Sequence, residues 1–255
     1  MIENSLFIRI LLPWLIMPED SELTSYDSIN VGDYLAHIER PNSWNNLYER
    51  PATIALLPDL KDKNVLDIGC ASGYYTAYAL KAGASVTSVD ISQTMLDVLA
   101  SSIKSPVLTI CRADVSKPMP FLKSGAFDCI ICSLMLHYLK DWNVALAELY
   151  RVMKKGGRLI ISTHHPFDMF RYLKLKNYFD FKLVEDTWGQ NGPHPIKVHY
   201  YYRPLKEVLR PIIESKFRII SIDEPLPTEL CQDIDTALYG RLSEGPGFLF
   251  FVLEK

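Results

Sequence analysis

The segment that most constrains this chain is residues 64–73, which read NVLDIGCASG. Its first residues form an apolar run of the kind that a strand buried on both faces of a parallel sheet needs. Two glycines follow, and the next residues favour a helix until Gly83 offers a stop. The order strand, glycine loop and helix predicts the nucleotide-binding half of a doubly wound α/β sheet.

A second predicted strand, residues 85–89, is followed by Asp90, about twenty residues after the first glycine, where this fold places an acid on ribose hydroxyls. The glycine order departs from the G-x-G-x-x-G fingerprint of dinucleotide-binding proteins. Asp67 precedes the loop, where its carboxylate would repel a pyrophosphate and attract an ammonium or sulfonium group. The pattern favours a positively charged nucleoside and disfavours an NAD-dependent oxidoreductase.

Five motifs in this order resemble those of class I S-adenosylmethionine-dependent methyltransferases, of the small-molecule, methyltransferase type 11-like kind. They lie within residues 64–162 and read VLDIGCASG, VTSVDIS, RADV, FDCIICSLMLHYL and LYRVMKKGGRLIIS. The resemblance implies S-adenosylmethionine as the cofactor, with in-line methyl transfer to a small-molecule acceptor through proximity and desolvation. Ala71 stands where the family more often has glycine, and a left-handed backbone at this alanine would cost roughly 1 kcal/mol.

The fold that the resemblance implies is α/β, a Rossmann-like doubly wound sheet of about seven strands, mostly parallel with an antiparallel last strand. Predicted strands are 64–68, 85–89, 107–112, 127–132 and 158–162, with helices at about 73–82, 92–104 and 141–154. Two extended segments, 179–188 and 196–202, then precede a helix at 205–215 and a final antiparallel pair of strands, 218–223 and 248–253.

The resemblance also implies roles for particular residues in holding the cofactor. Asp67 would hold the ammonium of its methionine part, directly or through water, Asp90 the ribose hydroxyls and Asp114 the adenine amino group. The other implied contacts come from the glycine loop, from side chains that pack on adenine and from strand ends, namely Gly69, Cys70, Ala71, Gly73, Ile91, Met95, Ala113, Val115, Ser133 and Leu134.

Three histidines are the best-placed candidate general bases, and His199 on the lid is a fourth option; a base is needed only when the acceptor is a hydroxyl, a protonated amine or a carbon acid. His137 follows the fourth predicted strand, and His164 and His165 follow the fifth, where ligands of open α/β sheets bind. For each histidine, packing or an ordinary hydrogen bond is the alternative. No ligand set at a known metal spacing accompanies them, so we predict no metal.

The chain is expected to comprise an N-terminal extension (1–24), a helical cap (25–60) and a methyltransferase domain (61–255) with an aromatic-rich lid insert at about 164–217. Candidate substrate or lid residues are Tyr26, Trp44, Tyr48, Trp188, His199 and Tyr201. For the aromatic residues of the cap, packing on the sheet edge is the alternative. The apolar run 6–17 is too short to span a bilayer and predicts a docked helix or an unneeded extension, with an interfacial or partner-binding segment as the alternative.

Composition excludes several classes of function. The net charge of −3 and pI of about 6.1 give no general attraction to nucleic acid or anionic membranes. Five cysteines without a disulfide framework indicate a reducing compartment, so we expect a cytoplasmic protein. Cys129 and Cys132 spell C-x-x-C within an apolar strand, where residues three apart point to opposite faces, which disfavours a redox or metal role. A non-catalytic S-adenosylmethionine-binding protein remains an alternative, and the sequence does not indicate an oligomeric state.

Overall fold

The computed structural model of this chain describes residues 10–11, 30–189 and 195–255. Its strands are β1 (Ile10–Leu11), β2 (Asn64–Ile68), β3 (Ser85–Asp90), β4 (Leu108–Arg112), β5 (Phe127–Ser133), β6 (Met153–His164), β7 (Lys182–Trp188), β8 (Ile196–Tyr202), β9 (Arg218–Asp223) and β10 (Phe248–Glu254). Its α-helices are α1 (Val31–Ile38), α2 (Arg50–Leu56), α3 (Tyr74–Lys81), α4 (Gln93–Ser102), α5 (Asn143–Val152), α6 (Pro166–Tyr172), α7 (Leu205–Glu214), α8 (Glu229–Ile234) and α9 (Thr236–Glu244). A π-helical turn, Asn45–Glu49, leads into α2.

The main sheet has the strand order β1-β4-β3-β2-β5-β6-β10-β9. Strand β10 runs antiparallel to both of its neighbours, β6 and β9, and the pairs among β1 to β6 are parallel. The predicted doubly wound sheet with an antiparallel last strand is therefore confirmed. The strand order reverses between β2 and β5, and ligands of such sheets bind in the crevice beyond the carboxyl ends of the strands at this switch point.

Helices cover both faces of the sheet, so its central strands are apolar on both sides. Leu66, Ile130 and Cys132 lie in one buried cluster, and Val65 and Cys129 lie in another. The two cysteines of the C-x-x-C sequence therefore point to opposite faces, as predicted. Burial raises the pKa of the Cys129 thiol to about 12, which leaves it protonated and unreactive at neutral pH.

Two differences from the predicted elements have simple physical reasons. Strand β6 begins at Met153, where a helix end was expected, because Met153 pairs with Phe127 of strand β5, and Lys154 adds an ion pair to Asp128 of that strand at 2.7 Å. The backbone of Ile10 and Leu11 adds a short parallel strand beside β4, an edge whose backbone groups would otherwise lack partners. Neither of these two features was predicted.

The aromatic-rich segment after β6 contains α6 and a separate two-stranded antiparallel hairpin, β7–β8. One face of β8 is buried against α1, α4 and α6 in a cluster that includes Tyr34, Met95 and Met169. The hairpin thus lies over the carboxyl ends of the sheet strands, next to the first helix of the cap.

Within the described parts of the chain, no helix has the length and apolar character needed to cross a membrane.

Candidate functional site

A cavity of about 1480 Å³ lies at the carboxyl ends of strands β2 to β6. Its walls come from the glycine loop after β2, the ends of the next strands, the cap and the β7–β8 hairpin. Most of the residues expected at the site line it, namely Trp44, Gly69, Cys70, Ala71, Asp90, Ile91, Met95, Ala113, Asp114, Val115, Ser133, Leu134, His137, His164, Trp188 and Tyr201.

The glycine loop is held in an unusual backbone conformation. Gly69 has φ +69°, and a Cβ at this position would lie 2.5 Å from Cγ of Met135, so no side chain fits there. Ala71 has φ +45°, the left-handed region in which alanine costs roughly 1 kcal/mol. The Ala71 N–H donates to Oδ2 of Asp90 at 2.8 Å, and Oδ1 of Asp90 accepts from the Ser92 N–H at 2.9 Å. The acid at the end of β3 therefore fixes the shape of the loop.

Asp67 lies beneath the loop and is not among the residues that line the cavity. It is 2% exposed, and its Oδ2 accepts a hydrogen bond from the Thr76 hydroxyl at 2.7 Å. Burial raises the pKa of the Asp67 carboxyl to about 7, so this group is partly protonated at neutral pH. Asp67 therefore lies beneath the cavity wall, and its contact with the cofactor's ammonium, directly or through water, stays a prediction.

Other expected site residues also lie away from the cavity. Tyr48 is buried, stacks on Phe248 with ring centroids 5.7 Å apart and donates its hydroxyl to the Pro225 carbonyl at 2.8 Å. The expectation that it lines the site was wrong, because its ring packs on Phe248 and Phe250 of strand β10. Gly73 opens α3 behind the loop, where a Cβ would lie 2.8 Å from Leu99. Tyr26 lies outside the described residues.

Two histidines likewise point away from the cavity. His165 follows His164 directly and turns outward, where its Nε2 lies 2.6 Å from Glu224 and its Nδ1 accepts from the Phe167 N–H at 3.3 Å. His199 lies on the outer face of the hairpin, 3.2 Å from Glu185. His199 alternates along β8 with Tyr200, which faces the cavity, whereas His165 lies beyond the end of β6 as the N-cap of α6.

His137 and His164 meet at the cavity wall with their rings stacked, centroids 4.0 Å apart and planes 14° apart. The Tyr200 ring meets His164 edge-on at 4.8 Å. Nδ1 of each histidine is buried without a hydrogen-bond partner among the described residues. Burial lowers the pKa of His164 to about 4, and burial together with His164 and Arg203 holds the pKa of His137 well below its usual value. Both imidazoles are therefore neutral at physiological pH.

Two adjacent charged residues of the cap that were not predicted also line the cavity, Glu49 and Arg50. Glu49 is 1% exposed, and its carboxylate accepts hydrogen bonds from hydroxyls on α2, α3, β5 and β6, namely those of Thr53, Tyr75, Ser133 and Ser162. The Arg50 guanidinium lies 3.8 Å above the Tyr74 ring and pairs with Glu39 at 2.8 Å. In the sequence these two residues are simply an acid and a base next to each other before Pro51, and no motif marks them as site residues.

At the hairpin end of the cavity, Asp186 is 9% exposed and was also not predicted. Its two oxygens accept hydrogen bonds from the hydroxyls of Tyr172 at 3.0 Å and Tyr200 at 2.9 Å. Trp188 lines this end and stacks on two rings of α1, with centroids 6.4 Å from Tyr34 and 5.8 Å from His37. The wall thus combines flat aromatic surfaces with one acceptor-only carboxylate.

Comparison with known proteins gives consistent matches. A family model described as "Methyltransferase domain" matches residues 66–161. An uncharacterized protein of Haemophilus influenzae is 24% identical over 253 residues, which cover 92% of this chain and 98% of that protein. The ubiquinone biosynthesis O-methyltransferase of Xanthomonas oryzae pv. oryzae is 29% identical over 106 residues, 41% of this chain. The match covers only 44% of that enzyme's own length.

Among solved structures, an S-adenosylmethionine-dependent methyltransferase from Mesorhizobium loti superimposes with a TM-score of 0.67 at 25% identity. The superposition covers 84% of this chain and 100% of that one. The matched family region, residues 66–161, runs from strand β2 into strand β6 and contains the glycine loop and most of the strand ends that surround the cavity.

Proposed function

This chain carries a class I S-adenosylmethionine-dependent methyltransferase domain, and from that premise we propose that it methylates a small organic molecule. The observation that carries the proposal is the size and lining of the cavity. Ligand pockets typically measure about 300–1,000 Å³, and a cavity of about 1480 Å³ has room for a nucleoside cofactor and a second molecule. The net charge of −3 supports a small acceptor over a nucleic acid.

The residues present fit the adenosine part of the cofactor. Gly69 adopts a left-handed backbone where a Cβ would collide with Met135, so the loop keeps its shape only with glycine there, and Asp90 offers carboxylate oxygens beside the loop. Asp114 stands at the next strand end, with Oδ1 accepting from the Ser116 hydroxyl at 2.6 Å and Oδ2 3.3 Å from Lys117. We assign Asp90 to the ribose hydroxyls and Asp114 to the adenine amino group, with Ile91 and Met95 against the adenine ring.

When bound, the cofactor supplies a methyl group on a positively charged sulfur, and the leaving group is a neutral thioether. The protein has to position the acceptor and keep water out. Trp188 and Tyr201 of the hairpin, together with Trp44 of the cap, are suited to exclude water because they present large aromatic surfaces to the cavity. We therefore assign the hairpin the role of a lid.

His137 and His164 are placed to orient the acceptor by hydrogen bonds from neutral rings. A histidine whose pKa is about 4 is a weak base, so it takes a proton only from an acidic group of the acceptor. The acceptors that suit this wall are amines that are already neutral, or hydroxyls and carbon acids of low pKa. His165 is not assigned a role in the reaction, because its ring contacts Glu224 instead of the cavity.

The protein's five cysteines are all free and buried, which supports a reducing, cytoplasmic location.

The experiment that tests the function has two stages. Calorimetric titration with S-adenosylhomocysteine should show binding to a single site, weakened by Asp90→Ala. Incubation with S-adenosylmethionine and a panel of small amines, phenols and acids should then release S-adenosylhomocysteine above the protein-free rate. Binding without turnover on a broad panel would favour a non-catalytic binding protein, and absence of binding would refute the proposal.

A further inference from the structure

The carboxylate of Glu49 is the most deeply buried charge that faces the cavity. Among the described residues, no cation pairs with it, and its hydrogen bonds come only from hydroxyl groups. A buried carboxylate that lacks a cation is costly unless a ligand supplies one. Asp90 is already bonded to the loop backbone, and Asp114 lies beside Lys117. Glu49 is therefore the lining acid best suited to a positively charged ligand group.

The two oxygens of Glu49 are used unequally. Oε1 accepts from Thr53 at 2.7 Å, Ser133 at 2.8 Å and Ser162 at 2.6 Å. Oε2 accepts only from the Tyr75 hydroxyl, at 2.6 Å. A carboxylate oxygen has two lone pairs, so Oε2 retains one acceptor position for a further donor.

The neighbouring residue, Arg50, provides the opposite charge. Its terminal nitrogens bond to Glu39 and to the side chain of Asn46, and these bonds use three of the five N–H donors of a guanidinium. Two donors remain for a carboxylate. Glu39 is a weak competitor, because its side chain is 46% exposed while that of Arg50 is 5% exposed.

Tyr74 and Tyr75, at the start of α3, bring the two charges to one place. Arg50 lies over the Tyr74 ring, Glu49 accepts from the Tyr75 hydroxyl, and the two rings are 5.2 Å apart. The first turn of α3 also favours a nearby anion, because its backbone N–H groups point toward the cavity end of the helix. An acid and a base side by side next to the glycine loop match the two charges of an α-amino acid.

We propose that Glu49 and Arg50 form the subsite for the amino-acid end of the cofactor, with Glu49 accepting from its ammonium and Arg50 donating to its carboxylate. In this arrangement Asp67 bonds to the Thr76 hydroxyl beneath the loop and does not touch the ligand. This assignment rests on the proposed function and adds to it. It gives the contact with the cofactor's ammonium to Glu49 of the cap instead of Asp67 of strand β2. The cap would thus close over the cofactor as well as over the acceptor.

The experiment compares two ligands by calorimetry. S-adenosylhomocysteine carries the amino-acid end, and 5′-methylthioadenosine lacks it, so a variant that damages only this subsite weakens the first ligand and not the second. Glu49→Gln and Arg50→Gln should each raise the Kd of S-adenosylhomocysteine about 10- to 100-fold, the range expected for a charge-assisted hydrogen bond. The Kd of methylthioadenosine should change less than about twofold.

Asp67→Asn is the matched control, and it should shift the Kd values of both ligands by the same factor. A third ligand keeps the test independent of any one variant. Decarboxylated S-adenosylhomocysteine retains the amine but not the carboxylate, so Arg50→Gln should not affect its binding, whereas Glu49→Gln should.

Equal losses for S-adenosylhomocysteine and methylthioadenosine in Glu49→Gln would overturn the inference, as would a selective loss in Asp67→Asn. If the unmodified protein binds neither ligand, the proposed function itself fails. If it binds both with equal affinity, the function stands and the subsite does not.

Discussion

The imidazole rings of His137 and His164 lie face to face, with centroids 4.0 Å apart and planes 14° apart. They reach this position from the carboxyl ends of two neighbouring parallel strands, β5 and β6. A proton on either ring would be buried beside the other ring, and Arg203 adds positive charge near His137. Burial of the pair therefore keeps both rings neutral, although Asp186 opposes this effect at His164.

This pair predicts a specific dependence of stability on pH. The pKa of His164 is about 4 in the folded protein and about 6.5 in the unfolded chain. Between these values the unfolded chain binds more protons, so stability falls as pH drops from 6.5 toward 4. Urea titrations at pH 7.5 and 4.5 measure how much unfolding free energy is lost on acidification. We expect this loss to be smaller for His164→Gln than for the unmodified protein, by about 2 kcal/mol.

His199→Gln is the control for this measurement, because His199 lies on the outer face of the hairpin. Its substitution should leave the difference between the two pH values nearly unchanged. An unaltered pH dependence in His164→Gln would show that the ring is not held neutral.

Asp67 predicts the opposite trend at higher pH. Its pKa is about 7 in the folded protein, above the value of 3.8 for a free aspartate. The folded state therefore holds an extra proton between pH 4 and 7, and stability falls as pH rises through this range. Relative to Asp67→Asn, the unmodified protein should lose about 2–3 kcal/mol of unfolding free energy between pH 5 and pH 8. Parallel unfolding curves for the two proteins at both pH values would contradict this prediction.

Ala71→Gly should not destabilise the fold, although glycine usually does. The φ of +45° costs alanine roughly 1 kcal/mol, which about offsets the greater freedom of glycine in the unfolded chain. We expect a change between zero and about 1 kcal/mol in the stabilising direction. Ala79→Gly, in the buried interior of α3, is the comparison and should cost about 1 kcal/mol or more. Chemical denaturation measures both, and equal losses in the two variants would argue against strain at Ala71.

Asp186→Asn should separate acceptor binding from cofactor binding. Asp186 lies at the hairpin end of the cavity, where Tyr172 and Tyr200 donate to it. We expect the Kd of S-adenosylhomocysteine to change less than about twofold and kcat/KM for the acceptor to fall about tenfold or more, as expected when a charged hydrogen bond is lost. Glu185→Gln, the neighbouring acid on the outer face, should leave both values unchanged. Equal kinetics in the two variants would place the acceptor elsewhere.

Much of this architecture follows from local sequence patterns. Apolar runs, glycine positions and strand-end acids identified β2, β3 and the loop between them, because a parallel strand buried on both faces leaves few alternatives. Positions such as Asp90 and Asp114 were predictable for the same reason, since Asp90 ends β3 and Asp114 follows the end of β4 by two residues. Asp67 also matched the pattern, but its burial depends on packing by Thr76, which the motif does not encode.

Residues that reach the site from distant parts of the chain were not predictable. Glu49 meets Ser162 across 113 sequence positions, and no local period records that contact. Among the histidines, His164 is the last residue of β6 and faces the cavity, whereas His165 is the N-cap of α6, so which side chain faces the cavity depends on where the strand ends. Tyr48 shows the same limit in a helical segment. Whether its side chain lines the cavity or packs in the core depends on how that segment packs on the sheet.

Strand β10 lies between β6 and β9, although β9 precedes it in the chain. On the ribosome, residues 218–223 are therefore made before the strand that joins them to the sheet exists. Until residues 248–254 emerge, one side of β6 has open backbone groups, and β9 has no partner in the order shown by the finished sheet. One segment, residues 248–254, thus forms the pairings with β6 and with β9 together, after both of those strands have been made.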